Sequence, residues 1–275
     1  MAKLKILDAC FDVDLTLTTF PAEGAYRAAG AALEKKIGAD PSRRLLNDYH
    51  GIHANAGDVR NKISAMFTRQ KFAKNVPEEV FWCRAAAFLT VLEEFCDQDF
   101  GLRWATILDA LSAEETFWEH ISSTSRPYDD TLDLIVAARS AGARLHLVTS
   151  SDVRLVVDEN PKGTALYNPE ISSALKRARV EKSLGRFHPL YIFEEHRKAS
   201  REGWEKYVLP QCPDIDMSRS AIVGDSPGDV EAGVTMGMPV RILLDRNGVY
   251  WDKPLPVAAT HVVRGLNVIP TILGW

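Results

Sequence analysis

The sequence predicts an α/β protein whose parallel sheet is interrupted, after its first strand, by a long helical insertion. Three observations lead to this. From about residue 127 onward, short apolar runs alternate with amphipathic helical stretches, the pattern of a parallel sheet covered by helices on both faces. A further apolar run stands near the amino end, and residues 22–125 between it and the rest show helical periodicity only. Finally, the runs stop at clusters of acidic or hydroxylic residues, where an open α/β sheet places its ligands.

Taken in order, Ile6 to Phe11 reads as a short buried strand ending at Asp12. Glu23 to Ile37 is Ala-rich, and Gly57 to Phe72 and Glu78 to Phe95 carry apolar residues at helical spacing. Asp129 to Ala141 is an amphipathic helix stopped by Gly142, and Arg144 to Val148 is a strand. Helical sequence returns at Pro169 to Leu184, followed by a strand at Leu190 to Phe193 and a helix at Arg201 to Leu209. Ala221 to Val223 is a buried strand, Asp229 to Met236 a helix, and Val240 to Leu244 and His261 to Val263 are the last strands. Thr18 to Pro21 and Ser123 to Pro127 mark the expected hinges. The expected architecture is a Rossmann-like core of residues 1–20 and 127–275 with a helical cap at 21–126.

Bulk properties narrow the function. At 275 residues and 46% hydrophobic, the chain can bury a sheet-and-helix core without disulfides or a structural metal. A net charge of −4 lacks the basic excess of a nucleic-acid scaffold. Cys10, Cys83, Cys96 and Cys212 form no CxxC pair and read as reduced thiols. The first apolar run is cut by Asp8 and Asp12 and has no cleavage site of the signal-peptide kind. No stretch approaches the roughly 20 apolar residues of a membrane span. A cytoplasmic protein with no nucleic-acid or membrane partner is expected.

The strand ends carry the chemistry. Strand one runs into Asp12-Val13-Asp14-Leu15-Thr16, the strand at 144–148 into Thr149-Ser150-Ser151, and the strand at 221–223 into Gly224-Asp225-Ser226-Pro227-Gly228-Asp229. Carboxylates converging on one sheet edge repel without a counter-ion, and oxygen ligands of this kind are what Mg2+ prefers. A phosphoryl group bridging such a metal accounts for the hydroxyl residues.

These segments resemble the haloacid dehalogenase (HAD) superfamily. Phe11 to Leu17 is similar to its DxDx(T/V) motif, Leu147 to Ser151 to its second motif, the region of Lys198 with Glu202-Gly203-Trp204 to its third, and Gly224 to Asp229 to its GDSxxD motif. The resemblance implies a Mg2+-dependent phosphatase acting on a small phosphorylated metabolite. Asp12 would be the nucleophile and Asp14 the general acid and base. Thr149, or Ser150, would bind the phosphoryl group, and Lys198 would neutralise it. Asp12, the backbone carbonyl of Asp14, Asp225 and Asp229 would surround the metal. Dehalogenases of this family lack an acid at the Asp14 position. A phosphomutase shares all four motifs and stays open, as does a non-catalytic phospho-ligand binder, although that would be expected to have lost Asp12, Asp14 or Asp225.

Within the cap, Tyr49 to Asn55 with Arg60 resembles the substrate-specificity loop of such caps, with His50, His53, Asn55 and Arg60 as candidate selectors of the leaving group; an ordinary polar connection is the alternative. Lys176, Arg177, Arg179 and Lys182 make one helix basic; a solvated face is the expectation for it, with approach to an anionic substrate as the alternative. Asn160 to Gly163 suggests an exposed turn. Cys10 reads as core packing. Asp8, inside the first strand, departs from the apolar pattern, and sequence offers no account of it.

Overall fold

A computed structural model describes residues 6–37, 43, 104–152, 154–157, 165–186, 189–194, 198–250 and 258–275. The predicted helices at 57–72 and 78–95, the turn at 160–163 and the cap residues His50, His53, Asn55 and Arg60 lie outside the described residues. The chain divides into two compact units. One comprises Met1–Phe20, Ser125–Ser151 and Ser173–Trp275; the other comprises Pro21–Thr124 and Asp152–Ser172. The second unit thus takes in a segment, 152–172, that the sequence assigned to the core.

The first unit is built on a six-stranded sheet of β1 (Asp8–Phe11), β2 (Arg144–Ser150), β5 (Leu190–Phe193), β6 (Ser220–Gly224), β7 (Val240–Leu244) and β8 (His261–Val263). Their order is β5-β2-β1-β6-β7-β8 and every pairing is parallel. Helices α3 (Asp129–Ala141), α5 (Arg201–Tyr207), α6 (Pro227–Thr235) and α7 (Ile269–Leu273) belong to this unit, as does most of α4 (Pro169–Leu184). Side chains of the central strands alternate between two buried clusters, as the two-residue period of a strand requires. Ala9, Phe11, Ala221 and Val223 join one with Leu134 and Ile242; Cys10 and Ile222 join the other with Val148, Trp204 and Met238. Helix α3 ends where Gly142 takes φ +67°, and Gly142 and Ala143 donate to the carbonyls of Arg139 and Ala138. That left-handed turn, open to glycine without steric cost, returns the chain to start β2.

The second unit contains α1 (Ala22–Ile37) and α2 (Trp104–Thr124), which pack through Tyr26 and Phe117 with ring centroids 4.9 Å apart. It also holds an antiparallel pair, β3 (Leu155–Val157) and β4 (Ala165–Tyr167), that sequence periodicity did not reveal. Arg154 lies 4.5 Å over the Trp118 ring. Among the described residues, no helix is long and apolar enough to cross a membrane.

Asp8 now has an explanation. It pairs in register with Arg144 and sits beside His146 on the neighbouring strand. Arg144 donates to both carboxylate oxygens, Nε at 2.6 Å and Nη2 at 2.9 Å, and His146 Nε2 lies 2.8 Å from Oδ1. Asp8 is 1% exposed, so a forked guanidinium contact and a ring nitrogen replace its lost water. Burial, outweighing the attraction of Asp8, pushes the His146 imidazole below its ordinary range.

Asp8→Ala should therefore destabilise the fold by about 1–2 kcal/mol in urea unfolding, because the buried His146 loses its partner while Arg144, half-exposed, keeps Asp214; a loss under about 0.5 kcal/mol would contradict this. A pH dependence follows from His146. The unfolded imidazole binds a proton near pH 6.5 while the folded one resists it, so stability falls as pH drops through roughly 6.5. The stability advantage of wild type over His146→Gln should shrink between neutral and mildly acid pH.

Candidate active site

The carboxyl ends of β1, β2 and β6 lie side by side in the sheet order, so their next residues share one edge. Asp12 follows β1 directly, and its N–H donates to the Val223 carbonyl of β6 at 2.9 Å. Asp225 and Asp229 follow β6. Asp12, Asp225 and Asp229 each offer an oxygen atom within 4.8 Å of the others. Lys198, brought in after β5, bridges two of these carboxylates through its Nζ, reaching Asp12 and Asp229.

Each side chain is held by its surroundings. The Trp204 indole, wholly buried, donates to the Lys198 carbonyl at 2.7 Å. Ser200 caps α5 by accepting from the Gly203 N–H at 3.1 Å, and Thr235 Oγ1 donates to the Ala199 carbonyl at 2.9 Å. The Glu-Gly-Trp sequence after Lys198 is thus a lock on the lysine's turn. Asp229 accepts from the Ser226 N–H at 3.1 Å and its hydroxyl at 2.7 Å, which fixes the start of α6. Gly224 leaves space for that carboxylate, since a Cβ there would stand 2.3 Å from the Asp229 side chain. Thr16 donates from Oγ1 to Asp225 at 3.3 Å, linking the first loop to the β6 loop.

The first loop is itself strained and braced. Leu15 adopts φ +62°, a left-handed conformation that costs a non-glycine residue roughly 1–2 kcal/mol. Its N–H donates to the Thr18 carbonyl at 2.8 Å, and Leu17 and Thr18 both donate to the Val13 carbonyl. The two expected hinge segments run together: Thr19 N–H donates to the Arg126 carbonyl, and Arg126 N–H to Thr19 Oγ1. Arg246 forks onto Asp130 at 3.1 and 2.9 Å and also donates to the Thr16 carbonyl.

Electrostatics at the cluster favour an added cation. Burial pushes the Asp12 carboxyl up to about 7, with Lys198 opposing and Asp229 and Asp225 adding. Burial and then Asp229 push Asp225 up to about 6. Burial works against the Lys198 ammonium, but Asp12 and Asp229 hold it charged well above the ordinary lysine range. One ammonium among three crowded carboxylates leaves them short of positive charge. A divalent ion with oxygen ligands fits that donor set, and Asp12, Asp225 and Asp229 are the residues that would hold it.

Asp14 stands apart from this cluster: its carboxylate is not among the grouped oxygens. Lys176 Nζ donates to it at 2.5 Å, and Arg179 forks onto it at 2.7 and 2.8 Å. Burial alone would raise the Asp14 carboxyl, but Lys176 and Arg179 hold it well below the usual carboxylate range. The basic helix α4 is therefore not a solvated face. Lys176 and Arg179 are each 3% exposed, while Arg177 donates to the Leu190 carbonyl and Lys182 alone of the four is exposed. The spacing of three between Lys176 and Arg179 puts both on one helical face, a signal visible in sequence although its partner was not.

Thr149 is buried at the end of β2, and Ser150, alternating to the other face, is exposed. The structure thus gathers Asp12, Lys198, Asp225 and Asp229, seats Thr149 on the adjoining strand, and adds Thr16, Lys176 and Arg179.

Gly224→Ala should displace the Asp229 carboxylate, so any divalent ion the three carboxylates hold, offered as Mg2+ in isothermal titration, should bind on the order of tenfold or more weakly. Unchanged affinity in a folded variant would show that Asp229 does not need that space.

No family model matches the chain, and no curated protein matches it in sequence. Solved structures do resemble it. YfnB of Bacillus subtilis, described as a HAD-hydrolase and solved bound to magnesium, is 18% identical over 98% of this chain and 100% of its own, with a TM-score of 0.63. The 2-haloacid dehalogenase of Pseudomonas syringae is 18% identical over 98% of each chain, with a TM-score of 0.58. A HAD phosphatase of Thermococcus onnurineus is 17% identical over 97% of each, with a TM-score of 0.51. The likeness is one of architecture: a six-stranded parallel α/β core of the kind found in HAD hydrolases.

Proposed function

We propose that this protein is a Mg2+-dependent phosphohydrolase that removes the phosphoryl group of a small metabolite through a phosphorylated Asp12. The observation that carries the proposal is Lys198 bridging Asp12 and Asp229, inside a set of three carboxylates within 4.8 Å. When bound, Mg2+ would supply positive charge to the transferring group and keep Asp12 ionised.

The protein's own residues do the rest. An Asp12 oxygen forms a bond to phosphorus as the bond from phosphorus to the leaving oxygen breaks. Asp14 is ionised while Lys176 and Arg179 hold it. Once the incoming phosphoryl group draws those cations away, it takes up a proton from solvent, gives it to the leaving oxygen and then, as a carboxylate again, takes one from the water that attacks the aspartyl-phosphate. Phosphate leaves and Asp12 is regenerated. Lys198 faces the nucleophile and offsets the charge gathering beside it. Thr149, buried near the end of β2, would hydrogen-bond a phosphoryl oxygen. Lys176 and Arg179 act as positioning residues that hold Asp14 until the anionic phosphoryl group competes for them. An acid two residues from the nucleophile suits oxygen leaving groups and is superfluous for a halide. On the sequence alone, His50, His53, Asn55 and Arg60 remain the proposed selectors of the leaving group.

A panel of phosphorylated metabolites and an aryl phosphate tests this with Mg2+ and with EDTA. Phosphate release should require Mg2+ and vanish in Asp12→Asn. Asp14→Asn should lower kcat about 10²- to 10⁴-fold on poor leaving groups. Release that survives EDTA or Asp12→Asn would refute the proposed chemistry.

A further inference from the structure

A cavity of about 630 Å³ opens at the opposite edge of the sheet, near the starts of β2 and β5. Its size falls in the range of small-molecule sites, and none of the residues assigned to phosphoryl transfer lines it. Part of the wall is apolar, formed by Ile135, Leu145 and Pro189.

The charged residues of the wall fall into two groups. Arg144 is already committed, to Asp8 through two hydrogen bonds and to Asp214. His146 is committed on one side to Asp8 and on the other to the Tyr191 hydroxyl, 3.4 Å from Nδ1. Arg139, in the last turn of α3, and Arg186, just after α4, are different. Both are exposed, both line the cavity, and neither guanidinium has an ion pair or side-chain hydrogen bond among the described residues. Arg144 stands between Asp8 and Asp214, so this part of the wall keeps one net negative charge, but Asp214 is exposed and screened by water, and Arg139 and Arg186 set two positive charges against it.

We infer that this cavity is a second ligand site, taking a small organic anion whose charged head is held by Arg139 and Arg186 and whose apolar body rests on Ile135, Leu145 and Pro189. Two guanidiniums from different elements present forked donors of the geometry that matches a carboxylate or phosphate. The apolar wall beside them favours an anion with a hydrocarbon or ring portion over a bare inorganic ion. Burial of that portion and the charge-assisted hydrogen bonds then act together.

Benzoate is a suitable probe, carrying a carboxylate on an apolar ring and no scissile phosphoryl group. It would be titrated calorimetrically into the full chain as wild type, Arg139→Ala/Arg186→Ala and Lys198→Ala. Wild type should bind one benzoate saturably. Both variants are first shown to be folded at the titration temperature by a cooperative thermal transition; the double substitution, at exposed positions, should weaken binding by about tenfold or more, and Lys198→Ala should leave it unaltered. Absence of saturable binding, wild-type affinity in the double variant, or loss of binding in Lys198→Ala alone would each overturn the assignment. The last result would place benzoate at the phosphoryl-transfer site instead.

Discussion

Three carboxylates share the carboxyl edge of the sheet with a single lysine, and much of the molecule's arrangement follows from keeping them there. Like charges this close are stable only if their backbone cannot yield and a cation stands between them. The parallel sheet provides the first condition by aligning the ends of β1 and β6 in register, Phe11 opposite Val223. Lys198 provides the second, and its own turn is fixed by Trp204, Ser200 and Thr235. Gly224 completes the constraint by leaving room for Asp229. Without any of these supports the carboxylates would separate or take up protons.

Around that cluster the fold repeats one device, the pairing of a buried or half-buried carboxylate with a guanidinium. Asp8 meets Arg144, Asp14 meets Arg179 with Lys176, and Asp130 meets Arg246. The three pairs have different settings. The first knits β1 to β2 at the amino edge, far along the strands from the candidate chemistry. The second restrains the acid nearest the nucleophile. The third ties the start of α3 to the loop carrying Thr16. Removing one partner costs most where the group left behind is shut off from water, as Asp8 or His146 would be.

Much of this was legible in the sequence. The strands could be read because each is a short apolar run ending in a turn residue, and the site could be read because parallel strands put such endings on one edge. Asp12, Asp225 and Asp229 emerged as a group for that reason, and Gly142 as the stop of α3 because a left-handed turn favours glycine. What was not legible depended on contacts between distant residues. Asp8 finds Arg144 across 136 positions, and Lys176 and Arg179 find Asp14 across more than 160. A basic helical stripe reads the same whether it faces water or a buried acid. The β3–β4 strands are recognised by their pairing with each other, and the inclusion of 152–172 in the second unit is likewise a matter of contact rather than composition.

Chemical capture of the proposed intermediate tests most directly whether Asp12 is the carboxylate that accepts the phosphoryl group. A turned-over metabolite phosphate would be quenched during steady state, reduced with borohydride and mapped by mass spectrometry, since reduction converts an aspartyl-phosphate to homoserine. The account predicts homoserine at position 12, dependent on added Mg2+. Modification at another carboxylate, or none during active turnover, would contradict it.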